Sequence, residues 1–346
     1  MQRIKTVIVG ASGYSGEQLM RLLLRHPGVE IVGLTSRQEA GRRLSDVMPR
    51  FRGWPGADTL TFIEPNADGI AATGAKVAFL ALPHGVAAEI AIPLLEKGLT
   101  IIDLSADFRI RDAAVYQEFY DHAHPAPDLL SEAVYGLPEV HRDAILASRL
   151  IASPGCYPTS ILLPLIPLLR EGLIDPATVQ TFSMSGVSGA GRKAAVPFLF
   201  AECNESVRPY SVPRHRHLSE IEQELSLAAR EKVTITLTVH LIPVTAGICT
   251  TTYASLKPGL SGPELGEALT RAYADSPFVR LLGENGCPDT KNVVGTNFID
   301  IGWAIDRRTG RAILMSAEDN LIKGAAGQAV QSFNLKHGME ETAGLI

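Results

Sequence analysis

The stretch Ser153-Pro154-Gly155-Cys156-Tyr157-Pro158-Thr159-Ser160 places a thiol where the chain leaves a short apolar run (Leu150, Ile151, Ala152) and enters a Leu/Ile-rich segment that reads as a helix. Pro154 and Gly155 suit a tight turn, Pro158 suits a first helical turn, and Thr159 and Ser160 offer hydroxyls to free N–H groups. A cysteine at a helix start meets the positive end of the dipole, which favours thiolate over thiol, and amides beside it can hold an oxyanion. That is the chemistry of a covalent nucleophile. A buried, inert cysteine is the other reading this stretch allows.

Groups that could move protons or hold anions stand elsewhere. In Tyr210-Ser211-Val212-Pro213-Arg214-His215-Arg216-His217-Leu218-Ser219-Glu220, two histidines alternate with two arginines. Read as an extended segment, this puts His215 and His217 on one face and the arginines on the other, ahead of a helix expected to begin near Ser219. The loop Ser185-Gly186-Val187-Ser188-Gly189-Ala190-Gly191-Arg192-Lys193 offers successive amides and Arg192, the makings of an anion nest, although a plain tight loop explains the glycines as well. Arg109, Arg192, Arg208 and Arg214 are candidates for a substrate carboxylate or phosphate, because a guanidinium fork matches both anions.

Near the N-terminus, the β-branched run Ile4 to Val9 leads into Gly10-Ala11-Ser12-Gly13-Tyr14-Ser15-Gly16 and then a leucine-rich helix. Glycines at a first strand-to-helix turn let the backbone approach a pyrophosphate, so Gly10, Ser12, Gly13, Tyr14, Ser15 and Gly16 are expected at a dinucleotide. The spacing is G-x-x-G-x-x-G, not G-x-G-x-x-G, and its place in the chain carries the argument. The second strand, Val29 to Leu34, ends at Thr35-Ser36-Arg37 with no carboxylate for a ribose 2′-hydroxyl. Ser36 and Arg37 suit a 2′-phosphate, which favours NADP over NAD; a solvent-exposed loop arginine is the alternative.

These residues need a scaffold. Val77 to Leu82 and Thr100 to Leu104 read as buried strands ending in Pro83-His84-Gly85 and in Ser105-Ala106-Asp107-Phe108-Arg109. In an open parallel sheet such loops line the ligand crevice, and His84 is expected to cap the following helix. Thr178 to Met184, Val233 to Leu241 and Ile248 to Leu256 read as strands, the last two antiparallel-sheet material, and Gly295 to Gly302 continues them. A helix beginning at Glu318 is expected to return to the first domain. The fold class is α/β: a Rossmann-type dinucleotide-binding domain over 1–152, completed by 318–346, plus an α+β mixed-sheet catalytic and oligomerisation domain over 153–317.

A chain of 346 residues with 46% hydrophobic and 20% charged residues fits two ordinary globular domains. No apolar run reaches membrane-spanning length, and the N-terminus has no signal-peptide pattern, so a cytoplasmic location is expected. A formal net charge of −5 without a basic block argues against nucleic acid as a partner. The 4 cysteines, Cys156, Cys203, Cys249 and Cys287, form no C-x-x-C pair, so neither a disulfide framework nor a metal site is expected.

Taken in order, Gly10 to Gly16, Asp103-Leu104-Ser105-Ala106-Asp107-Phe108-Arg109, Tyr135-Gly136-Leu137-Pro138-Glu139, Pro154-Gly155-Cys156-Tyr157-Pro158-Thr159, His215-Arg216-His217 and Asp319-Asn320-Leu321-Ile322-Lys323-Gly324-Ala325-Ala326 give a sequence that resembles the N-acetyl-γ-glutamyl-phosphate reductase family over nearly its whole length. The resemblance implies a dinucleotide-binding domain, an oligomer-building mixed-sheet domain (dimer or tetramer), and NADPH-dependent reduction of a small acyl phosphate in arginine biosynthesis. It implies Cys156 as nucleophile and a histidine of His215-Arg216-His217 as acid/base. Between these His217 is favoured, as the one nearer the helix. Pro83, Ser188, Gly189 and Asn320 are expected on the cofactor side and Ser185 on the substrate side. Ser153 stands where the family usually has Asn, and Leu218-Ser219-Glu220 replaces its usual Thr-Pro-Glu. The rival readings are a reductase of a related acyl phosphate, as in aspartate-semialdehyde dehydrogenase, and an NADP-sensing regulator without turnover.

Overall fold

Strand β1 (Ile4–Val9) is buried on both faces. Ile8 packs with Phe79, Ile102, Ile151 and Phe333, whereas Val7 and Val9 pack in a second cluster with Ala78, Leu80 and Ile101. Two-sided burial of a β-branched run is what a parallel sheet covered by helices requires, each buried side chain contributing about 1.5–3 kcal/mol. The computed structural model describes residues 2–346, and the chain divides into two compact units, one running to Pro154 and taking in Ala325–Ile346, the other Gly155–Gly324.

The first unit holds β1, β2 (Val29–Thr35), β3 (Phe62–Ile63), β4 (Val77–Leu80), β5 (Thr100–Asp103), β6 (Val134–Tyr135) and β7 (Leu150–Ala152). They form a seven-stranded sheet in the order β3-β2-β1-β4-β5-β7-β6, and every pairing is parallel. Strand order reverses between β1 and β4, so the loops after these two strands flank the point where such sheets bind ligands.

The second unit holds β8 (Gln180–Gly186), β9 (Arg208–Tyr210), β10 (Thr236–Ile242), β11 (Ile248–Ser255), β12 (Val279–Glu284), β13 (Ile299–Asp306) and β14 (Arg311–Glu318), ordered β12-β13-β14-β11-β8-β10-β9. β11 pairs antiparallel with β8 and β14, as expected of its segment. β10 does not follow the expectation: it runs parallel to β8 and antiparallel only to the short β9. The continuation after Gly295 enters the sheet later than expected, at Ile299, because Gly295–Phe298 form a turn held by the Asp319 carboxylate on the Gly295 amide at 2.7 Å.

The helix Cys156–Arg170 lies against β11 and β14 and packs on the helix His217–Ala229. It is buried from Tyr157 to Leu169 and runs through Pro164 and Pro167. Pro164 has no N–H for the Ser160 carbonyl, and Pro167 has none for Leu163. Both gaps are filled from outside the helix: Ser316 Oγ donates to the Ser160 oxygen at 2.6 Å, and the Tyr273 hydroxyl donates to the Leu163 oxygen.

The second unit keeps residues 318–324, which were expected to return to the first. Glu318 ends β14, and the Asp319 carboxylate accepts the Leu321 and Ile322 amides as well as that of Gly295. The chain then passes through a π-helical turn, Ile322–Ala326, before the helix Gly327–Lys336. Among the described residues, no helix is long and apolar enough to cross a membrane.

Candidate active site

In the first unit, Gly10 has φ +81°, and a Cβ there would lie 2.5 Å from the Ala81 carbonyl oxygen. Only glycine fits a loop pressed this closely on the segment leading to Pro83, which is itself exposed. At Gly16 a Cβ would lie 2.6 Å from the Ala11 Cα, so the helix Tyr14–Leu23 sits directly on the turn. Gly13 is its N-cap and no side chain caps it, which leaves the dipole end of Tyr14, Ser15 and Gly16 to face an anion. The Ser12 and Ser36 hydroxyls are 3.2 Å apart, and Arg37 beside them is exposed. No carboxylate follows β2 in Thr35-Ser36-Arg37, so the residues present fit a phosphorylated ribose.

The helix Ala87–Glu96 is not capped by His84, as expected, but by Asp107. Asp107 Oδ1 accepts the Gly85 amide at 2.6 Å and Oδ2 the Ala88 amide at 3.0 Å, while the His84 ring lies 5.6 Å from that of Tyr120. Arg109 is buried and gives its fork to the backbone: Nε donates to the Ser153 oxygen at 2.7 Å and Nη2 to the Leu104 oxygen at 2.8 Å. It thereby braces the strand end that leads to Pro154.

In the second unit, Cys156 is the first residue of its helix and half-buried. Gly155 occupies the N-cap without any side-chain cap. The Ser160 hydroxyl turns back to the Tyr157 oxygen at 2.9 Å and to Thr250 Oγ1 at 2.8 Å instead of capping the helix start. Gly155 and Gly324 leave space on either side of the cysteine. A Cβ on Gly155 would lie 2.6 Å from His217 Nε2 and 2.7 Å from Glu220 Oε1, and one on Gly324 would lie 2.9 Å from the Cys156 Cβ. Hence His217 and Glu220 pack onto the residue that immediately precedes the thiol.

The two histidines do not share a face of an extended strand. Arg216 is helical and His217 opens the helix, so a turn brings the rings to 4.8 Å between centroids, edge to face. The His217 amide donates to His215 Nδ1 at 3.2 Å, which fixes Nδ1 as an acceptor. Burial, with the Arg216 charge next, pushes His215 down to about 4, so its ring is neutral near pH 7 and a poor proton acceptor. His217 Nε2 stands 3.9 Å from Glu220 Oε1.

Glu220 was not singled out from the sequence. It is fully buried, and Oε2 accepts the Gly155 amide at 3.0 Å. The only local signal was its place one helical turn after His217. Tyr157 and Tyr210 were also missed. Their hydroxyls meet at 2.8 Å, both rings lie against His215, and burial pushes Tyr210 up to about 12.

The second glycine loop is gathered around Asn320. Its Oδ1 accepts the Gly247 amide at 2.7 Å and its Nδ2 donates to Ser188 Oγ at 3.0 Å. A Cβ on Gly189 would lie 3.1 Å from the buried Ser185 hydroxyl and 3.7 Å from Asn320 Nδ2. Arg192 and Arg214 are on exposed segments, whereas Arg208 Nη2 donates to the Pro197 oxygen at 2.8 Å. Among the described residues, no group of three or more His, Cys, Asp or Glu side chains could hold a metal ion.

Comparison with known proteins agrees with this layout. Residues 5–148 match the semialdehyde dehydrogenase NAD binding domain and residues 156–320 the semialdehyde dehydrogenase dimerisation domain. Among solved structures, aspartate semialdehyde dehydrogenase II of Vibrio cholerae in complex with ASA matches with a TM-score of 0.73 at 18% identity, over 97% of this chain and 98% of that one. The Candida albicans aspartate semialdehyde dehydrogenase with NADP matches with a TM-score of 0.73 at 16% identity, over 96% of this chain and 98% of that one. At such identities the likeness is one of fold. The N-acetyl-gamma-glutamyl-phosphate reductase of Akkermansia muciniphila is 59% identical over 100% of this chain and 99% of its own length, and that of Moorella thermoacetica 49% identical over 99% and 98%. With a cysteine at a helix start, a histidine on the preceding glycine and end-to-end likeness to these relatives, the chain belongs to the N-acetyl-gamma-glutamyl-phosphate reductase family.

Proposed function

We propose that this chain reduces N-acetyl-γ-glutamyl phosphate to N-acetylglutamate 5-semialdehyde and phosphate, with NADPH as the reductant and a thioester on Cys156 as the intermediate, as a step of arginine biosynthesis. The observation that carries it is the packing of His217 Nε2 and Glu220 onto Gly155, the residue before the helix-start thiol. Cys156 Sγ attacks the acyl carbon, the carbon–oxygen bond to phosphate breaks, and phosphate leaves as an anion. His217 takes the thiol proton and later returns one as the aldehyde is released. When bound, NADPH supplies the hydride.

Gly10, Ser12, Gly13, Tyr14, Ser15 and Gly16 would hold its pyrophosphate, Ser36 and Arg37 its 2′-phosphate, and Pro83, Ser188, Gly189 and Asn320 are assigned to it as well. Arg192 and Arg214, from exposed segments, serve the carboxylate and phosphate of the substrate, with Ser185, Arg208 and Arg109 supporting. Tyr157 stays a phenol, since burial and then Tyr210 push it far up, and it steadies His215. The active form is a homo-oligomer built through the 153–317 domain and working in the cytoplasm. The match of residues 156–320 to a dimerisation domain supports the oligomer.

The test is phosphate-dependent reduction of NADP by N-acetylglutamate semialdehyde, run beside aspartate semialdehyde. A larger kcat/KM for the acetylated substrate is expected, and a preference for aspartate semialdehyde would overturn the assignment. Cys156→Ala should abolish turnover while NADP still binds. Mass spectrometry of enzyme quenched in turnover should find the acyl group on the Cys156 peptide.

A further inference from the structure

Asp107 caps a helix that begins about twenty residues before it, and it is itself held by a chain of side chains within the first unit. The Tyr116 hydroxyl lies 3.1 Å from Asp107 Oδ1 and 3.0 Å from His122 Nε2, and His122 Nδ1 lies 2.8 Å from the Tyr120 carbonyl oxygen. A carbonyl only accepts, so Nδ1 carries a proton. The remaining nitrogen then decides the chain. In the neutral ring Nε2 accepts, the single Tyr116 proton turns to His122, and Asp107 Oδ1 keeps only the Gly85 amide. In the imidazolium Nε2 donates, the Tyr116 proton turns to Asp107, and every link is made.

Tyr116 is fully buried, and burial with the Asp107 charge keeps it a phenol. Its ring is stacked on Tyr120 at 5.0 Å and met edge-on by His124 at 4.9 Å; the Asp107 and Arg109 charges both act on the buried Asp103, and His124 feels both Asp107 and His122. His122 is only half-buried, and its Nε2 would be 3.1 Å from a Cβ on Gly85.

We infer that His122, Tyr116 and Asp107 form a proton-linked relay that positions the turn Pro83–Val86 for cofactor binding. The inference rests on the reading, given above, that Pro83 meets the cofactor. Asp107, Tyr116 and His122 are positioning residues. Their contribution should appear in cofactor affinity more than in turnover, and should grow as His122 takes up a proton.

The test measures NADP binding to the full-length enzyme by calorimetry from about pH 6 to about pH 8.5, where histidines change charge, with KM for NADP and kcat alongside. Tyr116→Phe removes only the hydroxyl, and His122→Gln removes the titration; should one of them fail to fold, the other carries the test. Against wild type, Tyr116→Phe should bind NADP about three- to tenfold more weakly near pH 6.5, the loss of one hydrogen bond. The two should converge toward pH 8.5, with KM changing more than kcat. A Tyr116→Phe enzyme that tracks wild-type affinity at every pH, while Arg37→Asp still loses affinity, overturns the relay and leaves the cofactor reading standing. Wild-type enzyme that binds no NADP at all overturns both.

Discussion

The Glu220 carboxylate accepts the Gly155 amide at 3.0 Å while its other oxygen faces His217 Nε2 at 3.9 Å. One buried carboxyl group therefore holds the backbone next to Cys156 and stands beside the His217 imidazole. Glu220→Gln keeps the shape but turns one of the two oxygens into an amide donor. A buried polar group left unsatisfied costs about 1–3 kcal/mol, so kcat should fall roughly five- to a hundredfold. NADP affinity, read on the same variant, should stay within experimental error; undiminished kcat would remove Glu220 from the mechanism.

His217 and His215 should answer differently to the same replacement. His217→Asn removes the proposed acid/base and should lower kcat by about 10²–10⁴-fold. His215 is neutral and accepts the His217 amide, so His215→Asn should act on substrate KM and on stability, with a much smaller loss of kcat. Equal losses of kcat in the two variants would count against this division of roles.

Arg37 is exposed beside the Ser12 and Ser36 hydroxyls, with no acidic residue at the end of β2. Arg37→Asp should weaken NADP binding by about an order of magnitude or more, matching about 1.5–3 kcal/mol for a lost contact to a charged group. NAD affinity should hold or improve. Titrations with both dinucleotides decide it, and unchanged NADP affinity would move the 2′-phosphate elsewhere.

Much of this site was legible because glycine, proline and helix-start chemistry are local signals. The turns at Gly10 and at Pro154-Gly155, and the helix opened by Cys156, need only neighbours in sequence. The long-range partners were not legible. Glu220 reaches Gly155 across 65 residues and Asp107 reaches Gly85 across 22, and no spacing rule encodes either. The parallel pairing of β10 with β8 was missed because alternation along a strand reveals which face is buried, not the direction of the neighbour. The pair His215 and His217 was read as extended because the helix was expected to start two residues later than it does.

Acid should destabilise the fold through His215 in a defined window. Its folded value of about 4 lies below the ordinary 6.5, so the unfolded chain binds the extra proton, and its stabilising contribution is present above 6.5 and lost as the pH falls toward 4. The amount is on the order of 3 kcal/mol. His337, pushed down to about 4 by burial and then Lys336, acts in the same direction. Asp103 acts oppositely. Burial, then Asp107, raises it to about 7, so its contribution is present below 3.8 and lost as the pH rises through 7. Melting temperatures should show His215→Asn flattening the acid limb. The stability difference between Asp103→Asn and wild type should shift toward the variant as the pH rises from about 4 to about 7.

The helix that carries Cys156 should depend on two hydroxyls that come from outside it. Pro164 and Pro167 leave the Ser160 and Leu163 carbonyls without helical donors inside a buried segment, and Ser316 and Tyr273 supply the missing bonds. A buried carbonyl left unsatisfied costs about 1–3 kcal/mol, so Ser316→Ala and Tyr273→Phe should each destabilise by that amount in denaturant titrations. The two donors come from different elements and serve different carbonyls, so the double variant should approach the sum. Putting an N–H back should reverse the sign of the argument: Pro164→Ala gives the Ser160 carbonyl a helical donor, and in that background Ser316→Ala should cost clearly less. If Ser316→Ala costs the same with or without Pro164, the hydroxyl is not replacing the bond that proline removed.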